Sequence, residues 1–258
     1  MLQVASLGSG SKGNGTLVRA DDVVILVDCG FTLKETERRL RAHDLDPEHL
    51  TALLITHEHG DHVRGAGALA RKYKIPLYSS FGTARAVSGR AAGFQNADWR
   101  EVRPGRLFRI GEVAVTPVTV PHDALEPCQY RFGYGERELG VLTDLGSLTP
   151  HVVEAYQECD ALLLECNHEP ELLAQGPYPV SLKRRVGGNL GHLSNQQAAM
   201  LLKHCNVDRL QHLVLSHLSE QNNTPEHALG QIHQVVEQGR ERVRVASQEQ
   251  GYTWLNID

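Results

Sequence analysis

Within six residues, His57-x-His59-x-Asp61-His62 sets three imidazoles and a carboxylate directly behind the apolar run Leu53-Leu54-Ile55. Imidazole nitrogen and carboxylate oxygen bind zinc at about 2.0–2.2 Å, and a catalytic zinc site keeps one position open for water. In a tight loop His57 and His59 can face one cation while Asp61 and His62 face a second. The loop supplies two ligands to each, so more distant residues must complete both shells. The bland alternative is an exposed histidine loop or a single structural zinc. Against it stands the placement of other metal-competent side chains: His122 follows "VTPVTVP", Asp144 follows "GVLT", Glu165 follows "ALLL" and His217 follows "LVLS". Strands that end in such groups converge on one edge of a sheet, which a random scatter of 14 histidines would not do.

The elements that must carry these groups can be read from apolar periodicity and turn residues. "LQVASLGS", "TLVRA" and "VVILVD" read as strands, the first running into the loop "GSGSKGNG". "LKETERRLRAH" reads as a surface helix, "TALLIT" as a short buried strand, "VRGAGALARKY" as a helix and "IPLYSS" as a strand. Later strands are expected at "EVAVTPVTV", "QYRFGY", "LGVLTDL", "DALLLEC", "LQHLVLSH", "RVRVAS" and "YTWLNI". Helices are expected at "NQQAAMLLKHC" and at "TPEHALGQIHQVVEQ", where Pro225 suits a first turn. Early strands in succession followed by βα alternation predict two packed sheets with helices outside.

With 258 residues and no low-complexity tract or linker, one domain over residues 1–258 is expected. Such a chain buries roughly 70–75% of its unfolded surface and needs no disulfides. The five cysteines are scattered without a C-x-x-C pair, which argues against a disulfide framework or a zinc ribbon. No apolar run approaches the ~20 residues of a membrane span. No basic leader precedes an apolar block, so a cytoplasmic location is expected. The net charge of −5 gives no global attraction to nucleic acid, so such binding needs local basic patches or bound metal.

The H-x-H-x-D-H motif with its later partners resembles the signature of the metallo-β-lactamase fold, an α/β four-layer αββα sandwich with a dinuclear site at one edge. The resemblance covers nearly the whole chain. It implies that His57, His59 and His122 hold one metal, that Asp61, His62 and His217 hold the other, and that Asp144 bridges both together with a hydroxide. "SLGSGSKGN", "VPHDALEP", "LLLECNHE" and "GHLSNQQA" are similar to the YycJ-like (WalJ-like) branch. That branch implies 5′-to-3′ exonuclease activity on DNA and a part in mismatch repair. The cofactor expected is two divalent ions per chain, zinc by the histidine-rich ligation, with manganese or iron also compatible with the carboxylates.

Two metals roughly 3.5–4 Å apart suit phosphodiesters but also lactams, thioesters and lactones. The related tRNA-processing phosphodiesterases pair a strand-end glutamate with a histidine in G-H-S-T. "LLLEC" and "GHLS" match that pair, so Glu165 and His192 join Asp61 as catalytic candidates, His192 as donor to the leaving oxygen. The alternative for His192 is a cap on the helix beginning near Ser194. His168, three residues after Glu165, is a candidate phosphate contact or a structural residue.

For a polymeric substrate, Lys183, Arg184 and Arg185 lie shortly before His192 and can neutralise backbone phosphates. Arg100, Arg103, Arg106 and Arg109 form a weaker basic segment. "GSGSKGN" lacks the G-K-[ST] of a P-loop, so it is expected to shape the site, with Ser11 and Asn14 as polar contacts. A nucleic-acid partner, DNA before RNA, and no membrane partner are therefore expected. A small-molecule hydrolase would show a closed, apolar pocket instead, and a non-catalytic nucleic-acid-binding protein should not keep all seven ligand positions. A diiron redox reading is disfavoured, because such relatives put glutamate where this chain has His59.

Overall fold

The computed structural model describes residues 1–90 and 93–258. Among them the strands are β1 (Leu2–Gly8), β2 (Gly15–Ala20), β3 (Val23–Val27), β4 (Ala52–Leu54), β5 (Leu77–Ser79), β6 (Trp99–Glu101), β7 (Phe108–Ile110), β8 (Val113–Thr119), β9 (Cys128–Tyr134), β10 (Arg137–Leu142), β11 (Ala161–Glu165), β12 (His212–Ser216), β13 (Val243–Val245) and β14 (Tyr252–Ile257). The helices are α1 (Leu33–Ala42), α2 (Gly60–Val63), α3 (Ala66–Tyr73), α4 (Phe81–Val87), α5 (Pro150–Tyr156), α6 (Pro170–Gln175), α7 (Val180–Val186), α8 (Asn195–Leu202) and α9 (Pro225–Ile232).

Side chains alternate across a strand, and here both faces are apolar because both are covered. Ile25, Val27 and Leu163 face a core between two sheets, where they meet Val115, Tyr130 and Phe132. Leu26 and Leu53 point the other way, onto Leu40 of α1 and Leu69 of α3. Leu162 and Leu164 likewise pack on Val152 of α5, Leu202 of α8 and Ile232 of α9. The result is helix, sheet, sheet, helix, as the sequence pattern predicts.

The first sheet runs β14-β1-β2-β3-β4-β5-β6 and the second β13-β12-β11-β10-β9-β8-β7. Each sheet is antiparallel in one part and parallel in the other: β3 to β6 run parallel in the first, and β10 to β13 in the second. Parallel strands end on the same side, which is why the groups that follow β3, β4, β10, β11 and β12 gather together. The last strand, β14, pairs with the first, a closure no local pattern announces.

The sequence reading differs from the structure mainly in short elements. "VRGAGALARKY" is divided between α2 and α3, because Gly65 sits in close contact with the chain at Cys29 and Phe31. The basic segment after Trp99 contains the edge strands β6 and β7, and its arginines are engaged locally: Arg100 with Asp98, Arg103 with Glu101, and Arg109 with the Glu112 carbonyl. Helices α4 to α7 had too few residues to display a period. No helix among the described residues is long and apolar enough to cross a membrane.

One buried bond ties the two sheets just behind the histidine loop: the Tyr130 hydroxyl on β9 donates to the Ile55 carbonyl at 2.9 Å. Tyr130→Phe leaves that buried carbonyl without its donor and should cost about 1–3 kcal/mol. Urea unfolding should show a lower midpoint with an unchanged slope.

Candidate metal centre

The loops after β3 and β4 and after β8, β10, β11 and β12 bring one cluster together. His57 Nε2 lies 3.0 Å from His59 Nδ1, which lies 3.2 Å from His122 Nε2. His62 Nε2 lies 3.5 Å from Asp61 Oδ2 and 3.3 Å from Asp144 Oδ2. His217 Nε2 lies 3.6 Å from Asp61 Oδ2. Three triads therefore offer donor atoms close enough to share a cation: His57/His59/His122, His57/His62/Asp144 and Asp61/His62/His217.

The ring orientations follow from where each outer proton goes. Thr56 Oγ1 gives its one proton to Asp28 Oδ2 at 2.9 Å, so its lone pair accepts from His57 Nδ1, also at 2.9 Å. His62 Nδ1 donates to Asp28 Oδ2 at 2.7 Å, and His122 Nδ1 donates to the Gly191 carbonyl at 2.9 Å. His217 Nδ1 donates to Glu165 Oε1 at 3.1 Å. With Nδ1 protonated, all four rings turn Nε2 inward, as imidazole ligands do when a partner fixes their tautomer. His59 is reversed: Nδ1 faces the cluster and Nε2 faces Asp123 Oδ1 at 3.6 Å.

The donor set fits divalent cations on two further grounds. Asp144 Oδ2 and His217 Nε2 are buried without a hydrogen-bond partner among the described residues, which is costly unless something else satisfies them. The rings are also crowded, with centroids of His57 and His62 only 4.1 Å apart. Burial and the neighbouring His62 drive the His57 pKa well below the usual histidine value. Burial opposes charge on His217 too, but Asp144, Asp61 and Glu165 outweigh it and raise its pKa to about 10. His62 is likewise raised well above its usual value, Asp144 and Asp28 overcoming burial.

His192 stands beside the cluster. Its Nδ1 donates to Glu165 Oε1 at 2.7 Å, and burial is overcome by that carboxylate, so its pKa is raised. Glu165 is fully buried, so it acts through His192 and His217 rather than on anything in the cleft. The cleft itself, about 320 Å³, is lined by Ser11, His59, Asp61, Asp123, Asp144, Tyr178, Leu182, Arg185, Val186, His192 and His217, among others.

Other expected site residues are placed differently. Asn14 is buried, and its amide nitrogen faces Asp61 Oδ2 at 3.3 Å and His62 Nε2 at 3.1 Å while its oxygen accepts from Gly10 N. It supports the loop instead of reaching into the cleft. His168 is buried, not at the rim, and burial lowers its pKa to about 4. Lys183 donates to the Ala174 carbonyl at 2.6 Å, Arg184 is exposed, and Arg185 alone of the three lines the cleft, its Nε 2.5 Å from Asp123 Oδ2.

Sequence reasoning missed Asp28, Thr56 and Asp123. Asp28 carried the available signal, since it follows "VVILV" just as the other acidic groups follow their strands. Thr56 and Asp123 are neighbours of ligand-type histidines and have no signal of their own. Gly30 is fixed by contact: a Cβ there would lie 1.6 Å from the Asp61 carbonyl oxygen.

The sequence model of the beta-lactamase superfamily domain matches residues 24–218. The exodeoxyribonuclease YycJ of Bacillus anthracis is 35% identical over 237 residues, covering 92% of this chain and 90% of that protein. The chain belongs to the YycJ/WalJ family. The exodeoxyribonuclease WalJ of Streptococcus pneumoniae is 35% identical over 222 residues, 85% of this chain and 82% of that one. The crystal structure of the metallo-beta-lactamase fold protein YhfI from Bacillus subtilis superposes with a TM-score of 0.74 at 18% identity, covering 99% and 100% of the two chains. That likeness establishes a shared fold for this YycJ/WalJ-family chain.

Two expectations follow from the cluster. Asp28→Ala removes the acceptor for both His62 Nδ1 and Thr56 and should weaken cation binding roughly 10–100-fold, with far-ultraviolet circular dichroism unchanged; titration with a metallochromic competitor measures it. The protons on His62 and His217 stabilise the metal-free cluster below the unfolded histidine pKa of about 6.5; the share of His217 is lost as pH rises through about 10, and that of His62 as pH rises through its own raised pKa. A cation must displace them, so binding should tighten from pH 6 to pH 8 and release protons. Calorimetry in two buffers of different ionisation heat reads that release directly.

Proposed function

We propose that this metal-dependent hydrolase is a dinuclear phosphodiesterase, a 5′-to-3′ DNA exonuclease of DNA-repair type. The observation that carries the reading is His192: an imidazole on the cleft wall, held by buried Glu165, with its charged form favoured and the ligand cluster beside it. The names of the two family relatives, both exodeoxyribonucleases, support DNA as the polymer.

In this reading His57, His59 and His122 would hold one divalent ion and Asp61, His62 and His217 the second, with Asp144 close to His57 and His62 as a further ligand. Histidine-rich ligation favours zinc, and the carboxylates leave manganese or iron as competitors. When bound, such a pair supplies a water acidic enough to ionise near neutral pH and positive charge for the oxygens of an in-line displacement.

The chain's own residues do the rest. Asp61 lies in the cleft where it accepts the proton of the attacking water. His192 donates from Nε2 to the departing oxygen, and Glu165 steadies the resulting change of charge. Arg185 meets a backbone phosphate at the mouth, with its side chain 58% exposed despite the bond to Asp123. Asn14 and Asp28 keep the Asp61-His62 loop in place.

The test separates proton donor from ligands. His59→Ala should lose metal and activity together, since its shell has no spare donor. His192→Ala should keep both metals by mass-spectrometric metal analysis and slow single-stranded DNA cleavage roughly 10²–10⁴-fold. The penalty should shrink for a nitrophenyl phosphodiester, whose leaving group needs little protonation. Loss of a metal, or equal slowing on both substrates, would show His192 to be a ligand or a binding contact. End-labelled single-stranded DNA and RNA, assayed with zinc and with manganese, decide the polymer and the polarity.

A further inference from the structure

Part of the lining of the cleft is the segment from Tyr178 through α7. Tyr178 stands just before the helix, and Leu182 and Val186 follow at intervals of four residues, the spacing that places side chains on one helical face. All three line the cleft, and none is buried. No residue of α7 is buried at all, so this apolar stripe has no protein partner in the core. Next to Val186 on the same wall is Arg185, half-exposed and bonded to Asp123.

The wall is also held firmly. Lys183 Nζ bonds the Ala174 carbonyl at 2.6 Å and Arg185 Nε bonds Asp123 at 2.5 Å. His192 N bonds the Val186 carbonyl at 2.8 Å. Gly191 lets the chain pass, since a Cβ there would lie 2.1 Å from the Arg185 carbonyl oxygen. The stripe therefore keeps a set position relative to the imidazole of His192.

We propose that Tyr178, Leu182 and Val186 form a nucleobase wall, which takes one unstacked base of the strand while Arg185 takes the adjoining backbone phosphate. This rests on the phosphodiesterase reading and adds how the end of the strand is held, with one base turned out of the stack. An aromatic ring and two aliphatic side chains offer a face to any base and read no base edge, so the wall is sequence-tolerant. The adjacent guanidinium selects a nucleotide over an acyl chain, because an acyl chain brings no anion for it. The cleft volume of about 320 Å³ is at the lower end for pockets that enclose a small ligand, and suits one nucleotide more than a stacked pair.

Stacking on such a wall changes affinity by roughly 5- to 100-fold per base. The test uses the metal-loaded protein and fluorescein-labelled, phosphorothioate-linked single-stranded oligodeoxynucleotides, with affinity read by anisotropy. One oligonucleotide carries a normal 5′-terminal nucleotide and its twin a base-free one. Wild-type protein should bind the base-free twin about 5- to 100-fold more weakly. Tyr178→Ala and Leu182→Ala should weaken binding of the normal strand and erase the difference, with metal content unchanged, while Tyr178→Phe should keep it. In cleavage of ordinary phosphodiester strands, a mismatched duplex end should be degraded faster than a fully paired blunt end. Equal affinity of wild-type protein for the twins overturns the wall even if DNA is degraded normally. Failure to bind or cleave any oligonucleotide, with turnover of a thioester or lactone, overturns the phosphodiesterase reading itself and the wall with it.

Discussion

A single carboxylate holds the two halves of this site in register. Glu165 is fully buried at the end of β11, yet it accepts from His192 Nδ1, His217 Nδ1, Leu145 N and Leu193 N. Burial alone would keep such a group protonated. The positive rings of His192 and His217 reverse that and lower its pKa to about 2. Ionised, Glu165 can only accept, so each ring must present Nδ1–H to it and turn Nε2 toward the cleft. His217 thereby faces Asp61, and His192 lines the cleft. A glutamine at this place could serve only one pair: with its oxygen toward the two rings its NH2 would face the N–H groups of Leu145 and Leu193, and flipped it would face both Nδ1–H groups.

That arrangement needs strand ends that turn sharply. Asp28, Asp144 and His217 all have left-handed backbones, with φ of 63°, 50° and 55°. Each costs of order 1–3 kcal/mol in a residue with a Cβ. The surrounding bonds hold two of them: Asp28 N donates to the Leu54 carbonyl at 2.8 Å, His217 N donates to Ser9 Oγ at 2.8 Å, and Asn167 donates to the His217 carbonyl at 3.0 Å. The two-sheet core behind them makes the strain affordable. The glycine-rich loop after β1 belongs to this scaffold, because Ser9 and Asn14 hold His217 and the Asp61-His62 loop from behind.

The fold and the cluster were legible in the sequence to the extent that they depend on local pattern. A polar group directly after an apolar run marks a strand end, and that rule found His57, His122, Asp144, Glu165 and His217. Residues that act by supporting a ligand leave no such mark unless they share the position. Asp28 does share it, whereas Thr56, Asp123 and Asn14 gain their roles only when distant loops meet. Tyr178 and Leu182 leave no mark for another reason: α7 is only 7 residues long, too short for an apolar period to show. The pairing of β14 with β1 is likewise a product of the whole chain.

Electrostatics limits what can enter. The chain is net acidic, and Asp28, Asp61, Asp144 and Glu165 crowd the cluster. In the metal-free state, protons on His62, His192 and His217 supply part of the balancing charge. Asp123 offsets Arg185, so the mouth of the cleft gains little net positive charge from its nearest arginine. A phosphodiester would therefore meet no strong attraction in the protein alone. In the proposed reading two divalent ions would replace those protons with greater charge at closer range, and the site would then hold a phosphate. Phosphate binding and hydrolysis would then share the same requirement, and the proposed wall of Tyr178, Leu182 and Val186 would add contact that carries no charge. Under that division Arg185 would add one phosphate contact weakened by Asp123, the metals would supply the main attraction, and the apolar wall would add a grip that salt does not screen.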